Sequence, residues 1–332
     1  MSTILITGGA GFVGAHAARK LLDAGHEVWV LDYFHRYIHP IQPTFLENTH
    51  YRLDVLLKGA EIVYGTTTHK DDLRRHLGAI RPEYILHLAA LPLANRALKQ
   101  TEEALETIVL GTVNLLEVLR DMPPVRNFVY VSSSMVYGDF TQVPMPEDGA
   151  KNPKEIYGGM KLAGETLVKV FSQRYGIPSS IVRPSAIYGP TDNNQRVLQV
   201  FVENAVRGQR IVAVNPDRTS LDFTYVDDVA DGMTAVLLSE RAIGEEFNVT
   251  RGEGHTLSEA IRILSGIFPN LEVETRIEGD GYRPNRGALD VSKARRLVGY
   301  DPQHSLEEGL HRYVEFVRQH NPSLIHERAR RP

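Results

Sequence analysis

Two residues four positions apart, Tyr157 and Lys161 in EIYGGMKLAGETLVKVF, stand at the start of a helical pattern, so their side chains project from one face. A phenol is a weak base at its ordinary pKa of about 10. A cation ~6 Å away at an effective dielectric of about 20 is worth roughly 3 kcal/mol, or about 2 pKa units. Lys161 supplies that sign of charge, which moves Tyr157 toward a phenolate near neutral pH and toward service as a general base. Gly158 and Gly159 lie between the two. Adjacent glycines cost a helix interior about 2 kcal/mol together, so the pattern predicts a ring or backbone packed close to them. In isolation the spacing is also that of an ordinary surface pair, and its context has to make it chemical.

That context begins at residues 129–138, VYVSSSMVYG. Val129, Tyr130 and Val131 alternate as a strand, so the three serines fall at or just past its carboxyl end, where open α/β sheets bind ligands. Alternation does not choose among Ser132, Ser133 and Ser134, and serines at a strand end also serve as turn or cap residues. A second feature is ILITGGAGFVGAHAARKLL, which places Gly8, Gly11 and Gly14 in T-G-x-x-G-x-x-G spacing between a strand and a helix. Such glycines allow a tight turn and let backbone N–H groups approach a pyrophosphate at the helix N-terminus. Asp32 ends the next strand, eighteen residues past Gly14. A carboxylate there accepts both ribose hydroxyls of an adenosine and repels a 2′-phosphate, so NAD is expected in preference to NADP. Its oxidised nicotinamide would be a second cation for Tyr157.

The elements that position these residues alternate. TILIT (3–7), EVWVLD (27–32), YILHLAA (84–90), NFVYVSS (127–133) and SSIVRPS (179–185) read as strands, and amphipathic segments lie between them. This is the signature of βαβ units and predicts a Rossmann-type α/β fold, a doubly wound parallel sheet, with a smaller discontinuous C-terminal lobe. The expected division is an NAD-binding domain over 1–185 with a returning segment at about 222–250, and a substrate-binding lobe over 186–221 and 251–325. Residues 33–58 carry two prolines and three histidines and read as an insertion after the second strand. His35, His39 and His50 have no fixed ligand spacing, so no metal site is expected from them.

The order T-G-x-x-G-x-x-G, HLAA at 87–90, serine followed by VYG, Y-x-x-x-K, RPSAIYGP at 183–190, DFTYVDDVA at 222–230 and RPN at 283–285 resembles the extended short-chain dehydrogenase/reductases across nearly the whole chain. Within them it is most similar to nucleotide-sugar epimerases of the UDP-glucose/UDP-glucuronate 4-epimerase type. The resemblance implies a catalytic hydroxyl four residues before the tyrosine of VYG, which is Ser133, acting with Tyr157 and Lys161. It implies cofactor contacts from Gly8, Gly11, Phe12, Val13, Gly14 and Asp32, from Leu88, Ala89 and Ala90, and from Tyr157, Lys161 and Pro184. Substrate contacts are implied for Ser133, Ser134, Tyr157 and Arg283, with Arg218 as a replacement for a missing phosphate ligand. It further implies a homodimer through the helix of Tyr157 and the helix before it.

Related 4,6-dehydratases place Asp and Glu directly after the catalytic hydroxyl, because eliminating water needs an acid and a base. Here those positions are Ser134 and Met135, and methionine transfers no proton. The expected reaction is therefore epimerisation through a transient 4-keto sugar with hydride passed to and from bound NAD. Net oxidation or reduction of a sugar or sugar acid is the alternative. Several positions depart from the family pattern: Leu221 replaces an arginine, Ile108 an asparagine, Pro92 a polar residue, and Thr66 or Thr67 an adenine-contacting aspartate. They bear on the substrate rather than on the hydride chemistry. Asp227 and Asp228 read as helix-start carboxylates at the lobe junction, and His87 as a packed histidine rather than a catalyst.

Composition narrows the partners. The chain has 332 residues, 42% hydrophobic and 23% charged, with a net charge of -4 and no cysteine. A small-molecule substrate is expected, with no nucleic acid and no membrane partner. No leader or long apolar run is read at the start, and the absence of thiols fits a reducing compartment, so the expected location is cytoplasmic.

Overall fold

Runs of aliphatic and β-branched residues too short for helices but buried on both faces pair into one parallel sheet. The computed structural model describes residues 1–36, 41–218, 220–279 and 284–329. Its main sheet is formed by β1 (Thr3–Thr7), β2 (Glu27–Asp32), β3 (Glu61–Tyr64), β4 (Tyr84–His87), β5 (Asn127–Val131), β6 (Ser179–Arg183) and β7 (Glu246–Asn248). They lie in the order β7-β6-β5-β4-β1-β2-β3, every neighbouring pair parallel. The order reverses between β1 and β4, the switch point at which doubly wound sheets open a crevice.

Helices cover both faces: α1 (Phe12–Asp23), α3 (Lys70–Ile80), α4 (Gly111–Arg120), α5 (Ile156–Tyr175) and α7 (Val226–Leu238), while α2 (Pro43–Tyr51) and α6 (Val197–Arg207) pack beside the sheet against later helices. Each sheet face has its own apolar core, one containing Ile4, Ile6, Val28 and Met233 and the other Leu5, Leu31, Leu77 and Phe128. A third core, with Phe201, Phe223, Tyr225 and Tyr313, lies under α6 and the later helices α8 (Leu257–Ile267) and α9 (Leu306–His320). The last described helix, α10 (Pro322–Ala329), packs on α2 and α6.

Three strands are shorter than the sequence suggests. β4, β5 and β6 stop at His87, Val131 and Arg183, and the residues after them leave the sheet to wall the cleft. Between β2 and β3 the chain forms α2, entered through Pro43, and then a π-helical turn at Arg52–Leu56. Arg183 is fully buried in β6 and holds the sheet to α5. Its Nε and Nη2 donate to the two carboxylate oxygens of Glu165 at 2.8 and 2.7 Å, and Nη2 also donates to Glu246 of β7.

Candidate active site

At the carboxyl ends of the strands the molecule opens a cleft of about 1570 Å³. It brings together Gly8, Gly11, Phe12, Val13, Gly14, Asp32, Leu88, Ala89, Ala90 and Pro184 with Ser133, Ser134, Tyr157 and Lys161. Arg218 is placed elsewhere: it sits exposed at a turn closed by its own N–H on the Asn215 carbonyl, and it does not line the cleft. Arg283 lies outside the described residues, as does His39. His35 is paired with Glu103 at 3.2 Å, and among the described residues no group of three or more His, Cys, Asp or Glu is placed to hold a metal ion.

One wall is made largely of backbone. Gly8 has φ +71, a left-handed conformation that side chains avoid, and a Cβ there would stand 2.8 Å from the Ala89 nitrogen. The turn then enters α1, whose N-terminus has no side-chain cap and no acidic residue in its first turn. Its N–H groups are thus left for an anion, which suits a pyrophosphate. Asp32 Oδ2 accepts the Ala10 N–H at 2.9 Å and Oδ1 accepts that of Phe34 at 2.7 Å. Burial raises its pKa above the usual carboxylate value, opposed by those N–H groups and by the Arg52 charge. The turn, the uncapped helix and the carboxylate at the end of β2 fit the diphosphate and ribose of NAD.

The three serines differ in what they touch. Ser132 donates to Glu165 Oε1 at 2.6 Å, and Ser134 donates to Ser185 Oγ at 3.0 Å. Ser133 caps the short 3₁₀ turn Ser134–Tyr137, its Oγ accepting the Met135 N–H at 3.2 Å, and it is the serine whose hydroxyl lowers the pKa of the Tyr157 phenol. The cap role and the contact with the phenol therefore coincide in one residue. Tyr137, in the same VYG run, is buried and donates to Asn248 Oδ1 at 2.8 Å, so it serves the sheet.

Lys161 points inward from α5, 3% exposed, and donates to the Val131 carbonyl at 2.8 Å with its Nζ 5.9 Å from the Tyr157 ring centre. Burial pushes its ammonium down to about 7, against the pull of Glu165. Tyr157 does not become an easy phenolate in the protein alone. Burial raises its pKa, and the opposing influences are the Arg196 charge and the Ser133 hydrogen bond rather than Lys161. The expected lysine effect is outweighed by desolvation, which penalises both charged forms. The glycine pair is likewise half right: a Cβ on Gly158 would lie 2.5 Å from the Met135 carbonyl oxygen, whereas Gly159 faces open space.

Arg196 and Arg52 line the cleft although no sequence motif marks them. Arg196 lines the cleft just before α6, its guanidinium 6.0 Å from the Phe12 ring centre and its Nη1 3.8 Å from Asp192 without a hydrogen bond. Only the two-chain-end convergence of the loop and the glycine turn brings it near Tyr157, and no local spacing signals that. Of the departures from the family pattern, Leu221, Pro92, Thr66 and Thr67 line the cleft and Ile108 is buried beneath it. His87 is fully satisfied between Thr7 Oγ1 at 2.7 Å and Thr112 Oγ1 at 3.0 Å, and burial pushes it down to about 3. Asp227 and Asp228 open α7 and join other segments: Asp227 meets His16 at 2.8 Å, and Asp228 accepts the N–H groups of Gln303 and His304.

Residues 4–250 match the family model described as the NAD dependent epimerase/dehydratase family. A Bacillus subtilis protein described as an uncharacterized UDP-glucose epimerase is 30% identical over 95% of this chain and 97% of its own length. UDP-glucuronate 4-epimerase 4 of Arabidopsis thaliana is 29% identical, covering 95% of this chain and 75% of the plant protein. Among solved structures, a UDP-glucuronic acid 4-epimerase from Bacillus cereus, in complex with UDP-glucuronic acid and NAD, superposes with a TM-score of 0.85 at 27% identity. That match covers 95% of this chain and 99% of the other.

Proposed function

The chain belongs to the NAD dependent epimerase/dehydratase family, and from that premise we propose that it inverts a nucleotide sugar, with a 4-keto sugar as the transient species. The observation that carries this reading is that Ser133 and Tyr157 line one cleft, the serine hydroxyl lowering the pKa of the phenol, with Ser134 and Met135 following the serine. Among the described residues the carboxylates lining the cleft are Asp32, Glu103 and Glu106, and none follows the serines, so the acid/base pair that dehydration requires is missing there. A second support is the cleft itself, which is roomy enough for a dinucleotide and a sugar nucleotide together.

NAD, when bound, supplies a hydride acceptor and donor and a positive charge. Gly8, Gly11, Phe12, Val13 and Gly14 would hold its diphosphate and Asp32 its adenosine ribose, with Leu88, Ala89, Ala90 and Pro184 along the walls. Tyr157 Oη takes the proton of the sugar 4-hydroxyl while Ser133 Oγ holds that oxygen in place. Lys161 lies beside the phenol on the same helix and is the candidate for the nicotinamide ribose. Because the protein alone raises the Tyr157 pKa, the positive charge that makes it a base must come from the cofactor side, with Arg196 assisting. Tyr157 then returns the proton when the ketone is reduced on its other face.

In this reading the substrate lobe comprises 186–221 and 251–325. Anchoring of the nucleoside diphosphate falls to the cleft arginines, with Arg283 retained as a candidate from the motif. A cytoplasmic homodimer completes the reading, supported by large apolar residues left exposed on the helices concerned: Leu105 and Leu110 before α4 and Val170 on α5. Among the described residues no helix is long and apolar enough to cross a membrane.

The test is incubation of the purified protein with UDP-glucose and UDP-glucuronate, followed by NMR of the sugar and absorbance at 340 nm. Conversion to the C4 epimer without accumulating NADH is the expected outcome. Stoichiometric NADH would replace epimerisation by net oxidation.

A further inference from the structure

Between β2 and β3 several residues line the cleft, Phe45, Thr49 and Arg52 among them, and Arg52 joins its two sides. Arg52 begins the π-helical turn after α2 and is 5% exposed. Its Nε donates to the Ala10 carbonyl at 3.0 Å, its Nη1 to the Thr191 carbonyl at 2.7 Å and its Nη2 to Thr49 Oγ1 at 3.1 Å. Ala10 lies in the glycine turn, and its N–H is the one held by Asp32. Thr191 lies in the loop 189–196, which ends at Arg196. One planar guanidinium thus ties the backbone of the cofactor turn to the backbone of the loop on the substrate side.

Neighbouring contacts stiffen the same link. Asn48 Nδ2 donates to the Asp192 carbonyl at 3.3 Å and to Asn193 Oδ1 at 3.0 Å, while its Oδ1 accepts from Asn321 at 2.9 Å. The arginine has carboxylates on both sides, Asp32 toward the cofactor and Asp192 toward the loop, yet hydrogen-bonds neither. A desolvated guanidinium spent on carbonyls from two distant segments is a costly way to fill space. A buried apolar residue would fill it without the desolvation cost.

We propose that Arg52 is a positioning residue that couples the two halves of the cleft, so that occupancy of the cofactor site favours the loop geometry that receives the nucleotide sugar. This rests on the reading of the cleft as a site for NAD and a nucleoside diphosphate sugar. By reciprocity the coupling acts in both directions: UDP in the substrate half tightens NAD, and NAD tightens UDP. The loop also carries Arg196, so the link aligns the cation that lowers the Tyr157 pKa with the bound cofactor.

Calorimetric titration of NAD into the purified protein, with and without saturating UDP, tests this. The expected result is an NAD affinity at least about 5-fold tighter with UDP in the wild type, the low end of ordinary allosteric coupling. Arg52→Lys, which keeps the charge but reaches a single carbonyl at a time, should bring that ratio below about 2. Asn48→Ala loosens the loop while leaving the Ala10 contact, and should lower the ratio without altering NAD affinity measured alone. A wild-type ratio near one, or a wild-type ratio retained in either variant, would overturn the proposal. A merely structural Arg52 would lower the melting temperature and leave the ratio unchanged. Since neither titration needs turnover, coupling without epimerisation would sink the proposed reaction and leave this link standing, and epimerisation without coupling would do the reverse.

Discussion

Along the wall formed by the ends of β1, β2 and β4, the groups facing a ligand are mostly main chain: the turn through Gly8, the uncapped start of α1 and the residues after His87. Along the opposite wall they are side chains steadied by other side chains, such as Ser133 on Tyr157 and Arg196 beside Asp192. The first wall inherits its geometry from sheet register and tolerates changes that keep the backbone. The second depends on individual charges and hydroxyls, each with its own desolvation cost. Where backbone does the recognition, a ligand common to many proteins is bound; where side chains do it, chemistry and specificity can diverge.

The strongest way to break this comparison is at the phenol. Tyr157→Phe should lower kcat by about 10³-fold, within the range for loss of a general acid/base, while NAD stays bound; unchanged turnover would move the chemistry to another residue. Next is Lys161→Met, with kcat lower by about 10²-fold and a higher melting temperature at pH 6. The sign follows from its folded pKa of about 7 against about 10.5 unfolded. Below pH 7 both states carry the proton and the cost of burying the charge is fully present. As pH rises from about 7 to 10.5 the unfolded state binds more protons, so wild-type stability should climb by up to about 1.4 kcal/mol per pH unit, a slope that Lys161→Met flattens.

Gly8→Ala tests the backbone wall. A strained φ and a Cβ 2.8 Å from the Ala89 nitrogen should weaken NAD by about 10-fold or more in calorimetry. Val13→Ala on the same wall should change it little, and a large effect there would contradict the main-chain account. Smallest is Arg196→Gln. Removing the cation raises the Tyr157 pKa, so the rising limb of the kcat profile should move to higher pH by about one unit. A profile that stays in place would remove Arg196 from the catalytic electrostatics.

The same contrast explains what could be read from the sequence. The parallel sheet, the glycine turn and Asp32 announce themselves because each is a local pattern of period, spacing or turn chemistry. Tyr157 and Lys161 are legible for the same reason, being four apart on one helix. Arg52 and Arg196 are not, because their roles arise from contacts with Ala10 and Phe12, more than forty residues away in the chain. Arg218 does not line the cleft: a motif can note a missing arginine without saying which other basic residue comes near. For Tyr157, spacing reveals a neighbouring charge and hides the burial that opposes it.

The central claim is that hydride leaves C4 and comes back to it within one cleft. NMR of UDP-glucose and UDP-glucuronate incubated with the protein in deuterium oxide tests it most directly. The predicted result is a C4 epimer with no deuterium at C4 and no NADH accumulating. Deuterium incorporated at C4, or one equivalent of NADH released per sugar, would contradict it.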